Sequence, residues 1–105
     1  MMSADMIAGA VLKRWIAVKI GKHLHLVGVL LGGHSRLPSG HWIITSSLAS
    51  FDRTTLVAVT ASSGRTYQLL DRLEAPLPVE VTELLANALS TWRLPADTVT
   101  EFVEL

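Results

Sequence analysis

Apolar residues recur at every second position through much of the first seventy residues and at every third or fourth position after residue 78. The first period predicts strands and the second an amphipathic helix. From Arg14, Ile16, Val18 and Ile20 alternate with Ala17 and Lys19, the pattern of a half-buried strand. Gly21-Lys22 supplies a two-residue turn, and His23 to Leu31 returns as a second strand. Leu24, Leu26 and Leu30 share one face of it, and His23, His25, Val27 and Val29 the other. Gly28 falls on the leucine face, where a glycine signals a bend or the close approach of another element.

Residues 32–40, rich in Gly, Ser and Pro, predict a loop. Three further strands are expected at Trp42–Leu48, Thr54–Thr60 and Arg65–Leu70, separated by connections at Phe51-Asp52-Arg53 and Ser62-Ser63-Gly64. After Pro78, the residues Val81, Leu84, Leu85, Ala88, Leu89 and Trp92 form one apolar stripe. Glu80 and Glu83 near its start and Arg93 near its end match the helix dipole, and Leu94-Pro95 ends it. Residues 3–12 predict a short helix capped by Ser3, and residues 97–105 fit a short helix or an edge strand equally. The expectation is a single α+β domain over residues 1–105. A five-stranded antiparallel meander, open or closed into a small barrel, is covered by one amphipathic helix, with short terminal helices.

Composition supports that picture. Half of the 105 residues are apolar, 17% are charged, and Lys+Arg 9 balance Asp+Glu 9. This excludes disorder, and the lack of Cys excludes disulfides and thiolate metal sites. No basic leader precedes the first apolar residues, and no apolar run approaches the roughly 20 residues of a membrane span. A cytoplasmic, membrane-free protein is expected. Zero net charge disfavours a general nucleic-acid binder. Charge is nonetheless split, with six basic and two acidic side chains in residues 1–53 but three basic and seven acidic in 54–105. Such asymmetry can favour self-association.

Candidate chemistry is sparse. His23 and His25 form a His-X-His pair on one strand face but lack a third ligand, so no metal or cofactor is assigned. Serines are plentiful without a Gly-X-Ser-X-Gly elbow, and Gly32-Gly33 is not followed by Gly-Lys-Ser/Thr. No catalytic residue is therefore named.

Three ordered pieces carry a resemblance: Gly33-His34-Ser35-Arg36-Leu37-Pro38-Ser39-Gly40, Ile44-Thr45-Ser46 and Gly64-Arg65-Thr66-Tyr67-Gln68-Leu69. Together they resemble an uncharacterised family of small bacterial proteins, often borne on mobile elements. That family has a His-Pro-Arg-Leu-Pro-Asp-Gly loop, a Thr-Ser-Pro strand end and a Ser-Arg-X-Tyr-X-Leu strand. Ser35, Ser39, Ser47 and Gly64 depart from it. The resemblance implies a shared fold and surface but no reaction, and an inhibitor or anti-defence role, anti-CRISPR-like for example, only by analogy.

The same surface follows from residue chemistry. His34, Arg36, Thr45, Ser46, Arg65 and Tyr67 are the candidate binding residues, because Arg and Tyr combine contact area with directional hydrogen bonds. Trp15 and Trp42 are candidate exposed anchors, for a protein partner or for a second copy in a homodimer. The leading expectation is a non-enzymatic protein-interaction module, an inhibitor or accessory factor. The alternatives are a small β-rich nucleic-acid binder using Lys13, Arg14, Lys19, Lys22 and Arg36, and a His-dependent or metal-assisted small enzyme.

Overall fold

A computed structural model describes residues 9–32, 39–62, 64–74, 76–95 and 97–105. Among these are seven strands, β1 (Ala10–Ile20), β2 (His23–Gly32), β3 (Trp42–Ile44), β4 (Leu48–Asp52), β5 (Val57–Thr60), β6 (Thr66–Leu69) and β7 (Thr100–Val103), and one helix, α1 (Val79–Thr91). The architecture is α+β, but the sheet is mixed. Its strand order is β3-β2-β1-β6-β5-β4, with β7 also on β1.

The expected meander is thus broken at its centre. β3-β2-β1 and β6-β5-β4 are each antiparallel runs, joined because β1 pairs in parallel with β6 through Ala10–Leu12. The second edge of β1 is shared: β6 takes its first residues, and β7 pairs antiparallel with Ala17–Ile20. Residues 97–105, open between helix and strand in the sequence, supply this seventh strand. The expected N-terminal helix is corrected at residues 10–12, which are strand; its residues 3–8 lie outside the described residues.

Two irregularities explain the differences in strand boundaries. The predicted third strand, Trp42–Leu48, splits at residues 45–47, because β3 and β4 belong to opposite ends of the sheet. The predicted connection at 51–53 moves to Arg53–Leu56. There Asp52 Oδ1 accepts hydrogen bonds from the Thr54 and Thr55 amides (2.8 and 3.3 Å), and Leu56 adopts φ 57°. A side chain that competes for backbone donors in this way turns the chain before the β-branched run can begin.

The residues 45–47 also show how strongly the sheet curls. Six flat strands would hold the outer two about 24 Å apart. The link from Ile44 to Leu48 reaches at most about 14 Å. The sheet therefore bends round on itself, yet it is open: among the described residues no ladder joins β3 to β4, so the barrel alternative is corrected.

β1 and β2 carry apolar side chains on both faces. Inside the curl, Leu12, Trp15, Ala17, Leu26, Leu30, Tyr67 and Leu69 form one core. On the outer side, Val18, Ile20 and Val27 meet Val81 and Leu85 of α1 in a second. A bulge lets β1 serve both. Its register with β2 slips between Lys13 and Ile16, and Arg14 stands at φ 51°. The extra residue keeps Leu12 and Trp15 on the same side despite their odd spacing. Gly28 lies opposite, where a Cβ would meet Lys13 O at 3.1 Å and Trp15 Cα at 3.3 Å. The close approach expected at this glycine is that of the bulged strand.

The helix ends otherwise than expected. Arg93 is outside it, at φ 56°, with its amide on Ser90 O (3.1 Å), while the Leu94 amide reaches Leu89 O (3.0 Å). This pair of bonds is a Schellman closure with arginine in the left-handed position that glycine usually takes. It makes Trp92 the C-cap.

Candidate functional site

The candidate residues disperse between core, connections and surface. His34 and Arg36 lie outside the described residues. Thr45 is buried, and its bonds are architectural. Its Oγ1 accepts from the Leu26 amide (3.0 Å) and donates to Ser46 O (2.8 Å), and its own amide donates to Leu26 O (2.8 Å). Ser46 is exposed beside it.

Tyr67 is buried among the residues of the inner core. Burial pushes its phenol above the ordinary range, with nearby Arg65 opposing that shift. Arg65 is half-buried, and its amide donates to Thr60 Oγ1 (3.1 Å). Because Leu48 pairs with Thr60, and the Ala61 amide bonds Ser47 O (2.8 Å), Arg65 and Ser46 come to the same end of the curled sheet.

The two tryptophans singled out as anchors are engaged within the fold. Trp15 is corrected outright: it is 2% exposed, with Nε1 donating to Leu70 O (3.0 Å), Phe51 at 6.0 Å and the Arg72 guanidinium 4.9 Å from its ring centre. Both faces of its strand are covered, so the ring has no open side to project from. Trp42 is half-buried against the helix-side core, with the Arg14 guanidinium 5.3 Å from its ring centre.

The third tryptophan is the most exposed of the three. Read from its spacing, Trp92 belongs to the buried stripe of the helix. In the structure it caps the helix, is 37% exposed, and stacks on the His25 ring at 4.9 Å and 27°. Leu94, placed by the same Schellman turn, is exposed beside it, and Val99 follows where its carbonyl accepts the Gly21 amide (2.9 Å). The signal that could have found this site is Arg93-Leu94-Pro95: proline fixes the end of the helix, so the stripe runs out at Trp92.

These elements surround a hollow of about 350 Å³ at the tip of the β1–β2 hairpin. Ile20, Trp92 and Leu94 supply apolar wall, and Lys22, His23, His25, Ser47 and Thr98 supply polar groups. His23 and His25 share a strand face, as expected, but differ in burial: His23 is exposed and His25 is 6% exposed. His25 Nδ1 lies 2.9 Å from Thr45 O. A carbonyl can only accept, so Nδ1 carries the proton, and in the neutral ring Nε2 keeps the lone pair. Burial, assisted by the charge of His23, holds this imidazole below its usual 6.5, and the Thr45 carbonyl works against them.

Among the described residues no group of three His, Cys, Asp or Glu side chains is placed to hold a metal ion. Nor is any helix among them long and apolar enough to cross a membrane. No protein-family model, curated protein or solved structure matches the chain.

Proposed function

We propose that this chain is a non-catalytic protein-interaction module whose contact surface is the hairpin-tip end bearing Trp92, Leu94 and Val99. The observation that carries this reading is that Trp92 and Leu94, each 37% exposed, line one hollow, and Val99, 69% exposed, follows the lining residue Thr98. Exposed apolar residues scattered singly need no explanation, whereas a cluster with an aromatic at its centre is the anatomy of a binding hot spot. The stack on His25 holds the Trp92 ring in place before any partner arrives, which lowers the entropy cost of binding.

The bacterial-family resemblance, resting on its motif residues, extends the proposal to an inhibitor or accessory factor carried by a mobile element. Nucleic-acid binding is the second reading, and the placement of the basic residues favours it less. Arg14 lies over Trp42, and Lys19 pairs in register with Glu101, so two of its cations already have neighbours within the fold. A homodimer through the same apolar end is a further form of the leading proposal.

Affinity capture from lysate of the source cells, with and without nuclease, tests it. A stoichiometric protein companion should survive nuclease, be lost with Trp92→Ala and be kept with Leu70→Ala, a control at another exposed apolar residue. A companion indifferent to Trp92→Ala overturns the assignment of the surface, and loss of all capture on nuclease treatment overturns the module.

A further inference from the structure

The lining of the hairpin-tip hollow is asymmetric in charge. Among the described residues that line it, Lys22 is the one fixed charge, His23 and His25 are the other titratable groups, and there is no Asp or Glu. In a chain with as many acids as bases, this concentrates positive potential at one concave place. The apolar wall is equally specific, with the flat Trp92 ring held against His25.

From this we infer that the hollow is a binding site for a small planar carboxylate, an aromatic acid of one or two fused rings. The ring lies against Trp92 and Leu94, and the carboxylate faces Lys22 and His23 at the rim. A volume of about 350 Å³ is at the small end of known ligand sites, roughly 300–1,000 Å³. That limits the occupant to this size. Water at the rim weakens the charge contact, so most of the affinity comes from ring burial and the carboxylate sets the preference. The site shares Trp92 with the proposed partner surface but does not rest on that reading, since it needs only the isolated chain.

The test is a ¹H–¹⁵N NMR titration of the intact chain with 1-naphthoate and, separately, its uncharged analogue 1-naphthalenemethanol. Naphthoate should move the signals of Lys22, His23, His25 and the Trp92 indole N–H, and leave the indole N–H of Trp15 unmoved. It should bind about threefold more tightly than the alcohol, the size of one exposed charge contact. Lys22→Ala, at an exposed turn residue, should erase that preference, and Trp92→Ala should weaken both ligands. Equal affinity of the two ligands, shifts confined to another surface, or a preference that survives Lys22→Ala each overturn the inference. A peptide ending in a free aromatic carboxylate is the last arm. If it outcompetes naphthoate at the same signals, the site reads a chain end and the small-molecule assignment is overturned. A failed titration leaves a Trp92-dependent capture standing, and a failed capture leaves a Lys22-dependent titration standing.

Discussion

Trp15 and Trp92 carry the same side chain into opposite circumstances. Trp15 is closed in on the bulge of β1, with a backbone carbonyl for its N–H, a guanidinium over its ring and a glycine across the ladder to make room. Trp92 is fixed by a single stack and a helix cap, and more than a third of it meets solvent. The first holds the fold together, while the second is held by the fold and left available. A tryptophan's type therefore says little about its role; what matters is whether both faces of its element are covered.

The largest expected effect lies on the architectural side of this comparison. Trp15→Ala should lower unfolding free energy by about 3–5 kcal/mol in a denaturant titration. Trp92→Ala should cost less than half of that, and equal losses would erase the distinction. Next comes Gly28→Ala, whose methyl would press on the backbone of Lys13 and Trp15. A loss of about 1–3 kcal/mol is expected by the same assay.

A pH series from 8 to 5 sharpens the other side. Because burial holds the His25 pKa below 6.5, the unfolded chain takes up this proton first. The stabilising contribution of neutral His25 is complete above about pH 6.5 and is lost as pH falls through its lower folded value. His25→Gln should flatten that slope, and an unchanged slope would remove the neutral, Nδ1-protonated ring from the account. The smallest effect is a gain: Arg93→Gly relieves a left-handed arginine, offset by the greater freedom of glycine when unfolded, and should add a few tenths of a kcal/mol.

The local elements were legible because each has one dominant period. Alternation at 23–31 correctly separated Leu24, Leu26 and Leu30 from Val27, and the stripe through Val81, Leu85 and Ala88 marked the buried side of the helix. Pairing between distant segments was not legible. Nothing local in Ala10–Leu12 names Tyr67–Leu69 as its parallel partner, and Arg14 is not the glycine that would advertise a bulge. The break after Ile44 was hidden because apolar residues continue on both sides of it. Val99, Phe102 and Val103 share a helical face, while Val99 and Val103 alone share a strand face, so β7 needed the open edge of β1 to decide it. At the site, period placed His23 and His25 together, but only the three-dimensional course of the helix end could show that Trp92 covers His25.

The shared edge of β1 has a consequence for the growing chain. Its partner β2 is complete by residue 32, but its other partners begin at residues 66 and 100. At ~5–20 residues per second, the hairpin waits about 3–14 s on the ribosome before β7 has been made. Until β6 is made the whole second edge of this eleven-residue strand offers unpaired backbone to any neighbouring nascent chain, and Ala17–Ile20 stay open until β7. Lys13, Arg14 and Lys19 lie along that strand, and their charge makes such pairing unfavourable. Basic residues that have neighbours of their own in the finished fold are thus also placed where a gatekeeper is needed while it is being made.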